Sequence, residues 1–144
     1  MRSIDTNRMI TAHHDGHGLN DLMTICADAR DPGRGGNGSH YYRVSFDVSG
    51  TERAFESGCT GRADEKVAEV QFQHGPRDEP GSTPGCTEAV LMAILIDRLE
   101  GFQAGPYACA ENEEQLVHLR AALALTRARA DARAARGVLG KNAA

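Results

Sequence analysis

The chain changes its hydrophobic period partway along. From Val67 to Gln73 it alternates: Val67, Glu69, Gln71 and Gln73 fall on one face of an extended segment, Ala68, Val70 and Phe72 on the other. That period of two is the mark of a half-buried β-strand. "YYRVSFDV" (Tyr41 to Val48) alternates in the same way and runs into the turn pair Ser49-Gly50. "LMTIC" (Leu22 to Cys26) predicts a further strand, and "ERAFES", ahead of Gly58 and Gly61, a weaker one. Two stretches are too rich in glycine and proline to be anything but loops: "DPGRGGNGSH" (Asp31 to His40) and "HGPRDEPGSTPG" (His74 to Gly85).

Beyond that second loop the pattern becomes helical. Thr87 is placed as an N-cap, and the first helix is expected to run to about Leu99 and stop at Gly101. Its middle, "AVLMAILI", is apolar on every side, which predicts burial on most sides. A second helix is expected to open at Asn112, with Gln115 three residues later completing a capping box. Leu116, Leu119 and Leu123 then recur at helical spacing, and Gly137 ends the helix after about Arg136. The pattern predicts one α+β domain over residues 1–144: a β-rich half (1–86) forming an antiparallel sheet, an antiparallel two-helix hairpin (87–137) and a short tail (138–144).

Charge changes this picture in one respect. The formal net charge is −4, which gives no overall pull towards nucleic acid or anionic membrane. From Gln115 onward, however, five arginines and one lysine stand against Asp131 alone, so this segment carries +5 and the rest −9. A basic final helix on an acidic body points to an anion site or an inter-subunit contact. The four cysteines (Cys26, Cys59, Cys86, Cys109) lack the close spacing of a zinc knuckle or redox pair and read as reduced cytosolic thiols. No N-terminal stretch resembles a signal peptide, and the longest apolar run, Ala89 to Ile96, is far too short to span a bilayer.

Candidate chemistry is sparse. In "HHDGHG", His13, His14, Asp15 and His17 have the residue types of metal ligands, but their spacing matches no closed zinc pattern, and His and Asp beside Gly are ordinary turn residues. No metal or cofactor is expected. No nucleophile elbow or phosphate loop is present, no acid pair sits in an apolar setting, and Cys109 lacks a histidine partner. The segment between the helices, "GFQAGPYACAEN" (residues 101 to 112), is richer than a plain turn requires. Phe102 reads either as a cap on the core or as a flat face for stacking a base. Asn112 reads as an N-cap or as an amide able to meet ribose hydroxyls or an adenine edge. Arg77, in the "GPRDEPG" loop, reads as a solvated loop residue or as a clamp for a pyrophosphate. An aromatic, an amide and an arginine together suit a nucleotide. On the second helix Arg129 and Arg133 lie one turn apart, a like-charge pair that an anion or a partner's acids would relieve.

With these residues in view, the chain resembles a phage protein family. "TEAVLMAILIDRLEGF" leading into "GFQAGPYACAEN", then Arg129-x-x-x-Arg133 and the closing "RGV-x-G" (Arg136 to Gly140), is similar to the Thoeris anti-defence sponges over roughly residues 68 to 140. Tyr107, Ala110, Ala130, Leu139 and Lys141 depart from that family's usual pattern. The resemblance implies a β-rich N-terminal half, a C-terminal helical hairpin and a non-catalytic protein. It implies sequestration, without cleavage, of glycocyclic ADP-ribose isomers made by bacterial TIR-domain immune enzymes, in a pocket using Arg77, Phe102 and Asn112. It implies a second site for cyclic oligonucleotides at Arg129 and Arg133, homo-oligomers up to hexamers, and action in the cytoplasm of the infected host. Two other classes stay open: a small nucleic-acid-binding protein using the basic final helix, and an enzyme that hydrolyses the signal.

Overall fold

In a computed structural model, residues 8–32, 37–47 and 64–141 are described. The weak strand expected at "ERAFES", the turn Ser49-Gly50, and Cys59 lie outside them. The chain divides into two compact units, Met1–His74 with Thr83–Gly85, and Gly75–Ser82 with Cys86–Ala144.

The first unit is a four-stranded antiparallel sheet in the order β1-β2-β3-β4: β1 (Arg8–Ile10), β2 (Met23–Ala27), β3 (Tyr41–Asp47) and β4 (Asp64–Gln71). Each strand pairs with its sequence neighbour, the arrangement that the expected strands and loops imply. The strand expected at Leu22 to Cys26 is displaced by one residue, and β1, too short to carry a visible period, was not anticipated. Between β1 and β2 lies α1 (Gly18–Asp21), a single turn.

Register assigns the faces. Arg8 pairs with Ala27, Ala27 with Tyr42, and Tyr42 with Val70; one step along, Met9, Cys26, Arg43 and Glu69 form the adjacent row, on the opposite face. The next row, Ile10, Ile25, Val44 and Ala68, returns to the first face, which is therefore mainly apolar. On the second face Arg43 stands directly opposite Glu69, an opposite-charge cross-strand pair. Val44 pairs with Ala68 but Ser45 pairs with Lys66, so Val67 is the extra residue of a β-bulge, and it is exposed. Ala27 is fully buried, with Cys26 and Ser45 close to it in burial.

One end of the sheet is tied down by polar groups. The Phe72 and Gln71 side of β4 meets the backbone before β3: the Phe72 N–H and the Gln71 Nε2 both donate to the His40 carbonyl, at 2.7 and 3.0 Å. The His40 N–H donates to Asp28 Oδ1 at 3.0 Å. The His40 and His74 rings stack at 4.1 Å with planes 5° apart, and His74 Nε2 lies 3.0 Å from Asp31 Oδ2. Gly85 passes so close to the Gln71 carbonyl and the Phe72 backbone that a Cβ there would collide with both, which requires glycine at this position.

The second unit is built on α2 (Glu88–Gln103) and α3 (Ala110–Ala135). Thr87 is the N-cap of α2, as its sequence implies, although its side chain makes no capping bond. α2 runs past the expected stop at Gly101. The glycine costs the helix about 1 kcal/mol relative to alanine, and a Cβ at this position would meet open space. The chain leaves the helix at Ala104, where Pro106 two residues on cannot continue the backbone ladder. The C-terminus of α3 agrees with expectation: Gly137 takes φ +71°, its N–H reaches the Ala134 carbonyl, and the Val138 N–H reaches that of Arg133, the paired bonds of a Schellman motif.

Ile96 from α2 and Leu116 from α3 are the buried residues of the pair, with Leu116 at 2% exposure. The expectation that α2 is covered on most sides is thus corrected within the single chain. Val90, Ile94 and Leu95 of α2 and Val117 and Leu125 of α3 are exposed. One partner helix can cover one stripe of its neighbour, and "AVLMAILI" presents apolar residues all round. Across the pair, Arg120 Nη2 lies 3.0 Å from Glu100 Oε1. Both residues are about half exposed, so the bridge contributes at most about 1 kcal/mol. Among the described residues no helix is long and apolar enough to cross a membrane.

Candidate functional site

The connection between α2 and α3 is held by one side chain. Gln103, the last residue of α2, accepts from the Cys109 N–H through Oε1 at 3.0 Å and donates from Nε2 to the Cys109 carbonyl at 3.1 Å and to Glu113 Oε2 at 3.3 Å. The amide thus matches both backbone groups of Cys109, as a strand neighbour would. This moves the start of α3: Cys109, not Asn112, is the N-cap, because Gln103 satisfies its N–H from across the turn. Asn112 is the third residue of the helix. Its Nδ2 donates back to the Tyr107 carbonyl at 3.2 Å, and its Oδ1 accepts from Gln115 Nε2 at 3.5 Å. The relation between Asn112 and Gln115 is therefore a side-chain contact within the first turns, not a capping box.

Phe102 is half-buried on the last turn of α2. The Tyr107 ring meets it edge-on, with centroids 6.3 Å apart and planes at 77°. Tyr107 consequently joins the two residues expected at the pocket: its ring touches Phe102 and its carbonyl holds Asn112. An asparagine amide has two N–H donors and an acceptor oxygen with two lone pairs. The Tyr107 and Gln115 contacts use one donor and one lone pair, so one of each remains for a ligand.

Sequence reasoning missed Arg98. Its guanidinium carbon lies 4.7 Å from the Phe102 ring centre, a cation–π contact. The signal was the i, i+4 spacing of the two residues on one helix, which puts their side chains on the same face.

Arg77 sits on the loop Gly75–Ser82, which belongs to the same compact unit as the two helices. The loop is closed at its base by paired bonds between His74 and Thr83, at 2.9 and 2.8 Å, with Gly75 and Gly81 at φ +83° and +85°. The Glu79 N–H donates to the Pro76 carbonyl at 3.2 Å, so Arg77 is the second residue of a tight turn with its side chain exposed. No bond among the described residues ties Arg77 to Phe102 or Asn112.

The two remaining candidates lie far along α3. Asn112 to Arg129 is seventeen residues, about 25 Å at the helical rise. Arg129 is exposed. Arg133 is occupied in the chain itself: its Nη2 donates to the Val138 carbonyl at 3.1 Å and to that of Lys141 at 2.8 Å, so it closes the turn after the helix.

Electrostatically the hairpin end is mixed. Glu111 and Glu113 stand in the first turn of α3, where carboxylates favour the helix dipole but oppose an incoming anion. Arg98, over the Phe102 ring, supplies an opposing charge there. The His13–His17 segment forms a hydrogen-bonded turn. Asp15 Oδ1 accepts from the His17 N–H at 2.9 Å, Asp15 Oδ2 from Asn20 Nδ2 at 2.9 Å, and Asp21 Oδ1 from the N–H groups of Asp15 and Gly16. His13 Nε2 donates to the Met23 carbonyl at 2.8 Å. Among the described residues no group of three or more His, Cys, Asp or Glu side chains is arranged to hold a metal ion.

No family model matches the chain. It is similar to a protein of Bacillus phage SBSphiJ7 named Thoeris anti-defense 1, with 39% identity over 75 residues. That alignment spans 52% of this chain and 52% of the relative, so the chain covers about half the length of the protein it matches. This similarity bears out the resemblance read from the sequence: over about half its length the chain is similar to a phage Thoeris anti-defence protein.

Proposed function

We propose that this protein is a phage anti-defence sponge. It binds glycocyclic ADP-ribose isomers, the signals of Thoeris immunity, and withholds them without cleaving them, in the cytoplasm of the infected host. The observation that carries this reading is the hairpin end, where Tyr107 links Phe102 to Asn112 and leaves a half-buried ring and a half-used amide side by side. The name of the phage relative supports the anti-Thoeris role. Phe102 would stack the adenine, Asn112 would meet a base edge or ribose hydroxyl, and Arg77 would pair with the pyrophosphate, from its own chain or a neighbouring one.

The protein acts as a homo-oligomer, a dimer up to a hexamer. The exposed Val90, Ile94 and Leu95 of α2 support this, since a helix apolar all round leaves surface that a second copy would cover. The same reading places a second site, for the cyclic di- or trinucleotides of CBASS immunity, at Arg129 and Arg133. Arg129 would be its freer member, because Arg133 holds the C-terminal turn.

The deciding experiment incubates glycocyclic ADP-ribose with the protein, heats the mixture to unfold it, and assays the released small molecule. A sponge returns the signal intact, whereas an enzyme returns its products. Calorimetry on Arg77→Ala and Asn112→Ala should show weaker binding for each. Loss of a charge-assisted contact at Arg77 corresponds to about 1.5 to 3 kcal/mol. Unchanged affinity in both variants would remove the pocket assignment.

A further inference from the structure

Most of the arginines whose contacts are described spend their N–H groups within the chain. Arg8 donates to Ser39, Arg120 to Glu100, and Arg133 to the Val138 and Lys141 carbonyls. Arg98 differs. It is exposed, and among the described residues its guanidinium forms no hydrogen bond or ion pair. It is nevertheless held in place, because its charge rests over the Phe102 ring at 4.7 Å. A cation–π contact uses the charge of the group and leaves its N–H donors available. An exposed arginine on a helix ordinarily ranges over many rotamers and loses that freedom when it binds something. This one has surrendered part of it already.

We propose that Arg98 is a ligand-contacting residue, the second cation for the pyrophosphate of a nucleotide whose base stacks at Phe102. The proposal rests on the pocket reading above and adds to it a residue that neither the sequence reading nor the similarity assigns. Charge balance supports it. A pyrophosphate diester carries two negative charges, and Arg77 alone would meet one of them. Glu111 and Glu113, in the first turn of α3, add two more negative charges near the same hairpin end. A single arginine therefore leaves an anion facing net repulsion, and a second corrects it. Chemistry and placement agree as well. Guanidinium groups recognise phosphate oxygens through paired N–H donors, and this one sits against the ring on which the base would stack. Within a nucleotide the phosphates lie close to the base, so a cation touching the stacking ring is within reach of them. Arg98 would be the specificity element of the site, favouring a phosphorylated ligand over the bare nucleoside.

The test is calorimetry with glycocyclic ADP-ribose on the full chain. The variants are Arg98→Met, which keeps an apolar contact with the ring, Arg98→Lys, which keeps the charge, and Phe102→Ala. The expected result is a loss of about 10- to 100-fold in Arg98→Met, from the missing charge-assisted contact. Arg98→Lys should stay within about fivefold of wild type, and binding by Arg98→Met should respond less to added salt than that of wild type. Thermal melting should be nearly the same for the three Arg98 proteins, since the residue is exposed. Arg98→Met binding within about twofold of wild type would overturn the proposal, as would Arg98→Lys binding as poorly as Arg98→Met. Phe102→Ala separates the two levels. If it binds as wild type does, the pocket reading itself fails. If it loses binding while Arg98→Met does not, the pocket stands and Arg98 has no part in it.

Discussion

The sheet unit and the helical unit use their side chains in opposite ways. In the sheet unit, several polar groups are matched locally: Asp28 to His40, Asp31 to His74, Gln71 to the His40 carbonyl, Arg8 to Ser39. Its fully buried position is an alanine, and isolated bridges join Asp31 to Gly38 and His74 to Thr83 outside the strands. The helical unit leaves more unspent. Ile96 and Leu116 are buried, while Val90, Ile94, Leu95, Val117 and Leu125 are not, and Arg77 and Arg98 offer charge outward. Internally satisfied groups make a scaffold. Exposed apolar groups make a surface for something else, and among the described residues the larger share of them lies in the helical unit.

That contrast can be attacked by substitution. Leu116→Ala should have the largest effect, a loss of about 2 to 5 kcal/mol in urea unfolding, because it empties the best-buried position of a small core. If the cost is below about 1 kcal/mol, the hairpin is held by something other than this core. Ile94→Lys with Leu95→Lys should come next. Both side chains are exposed in the chain, so a monomer would change by no more than about 0.5 kcal/mol. If α2 faces a second copy, light scattering should instead show smaller particles. An unchanged particle size places the subunit contact elsewhere. Asp31→Asn should have the smallest effect. The His74–Asp31 contact is partly exposed, at 27% and 37%, so its loss should cost about 1 kcal/mol or less and leave glycocyclic ADP-ribose binding unaltered. A change in binding would mean that the sheet unit is not merely a scaffold.

The two units also differ in how far the sequence reveals them. Strands β3 and β4 were legible because alternation survives in "YYRVSFDV" and "VAEVQFQ", and β2 because "LMTIC" is a short apolar run. The bulge at Val67 was not, since an inserted residue leaves local alternation intact and shows only in the partner's register. The helical boundaries failed for a different reason. Gly101 reads as a stop and Asn112 as a start, yet α2 continues to Gln103 and α3 begins at Ala110. The two errors have different sources. Gln103 satisfies the Cys109 N–H, which no local cap rule anticipates, and Pro106, not Gly101, sets where α2 must end. At the candidate site, Phe102 and Asn112 were legible as residue types in an unusual turn. Tyr107, which joins them, and Arg98, which lies over the ring, were not read as site residues: the role of Tyr107 depends on ring placement, and the i, i+4 spacing of Arg98 and Phe102 shows only that they share a helix face.

The Gln103 clasp has a consequence for time as well as for shape. A loop closed by three hydrogen bonds from one amide meets the entropy of its closure when the chain folds, not when a ligand arrives. Capture would then wait on no loop rearrangement, only on movements of exposed side chains such as Arg98, which take picoseconds to nanoseconds. On the proposed function, a protein that removes a signal before its receptor finds it competes on association rate. A hairpin end set in advance suits that contest, and loosening it with Gln103→Ala should slow association more than it hastens release.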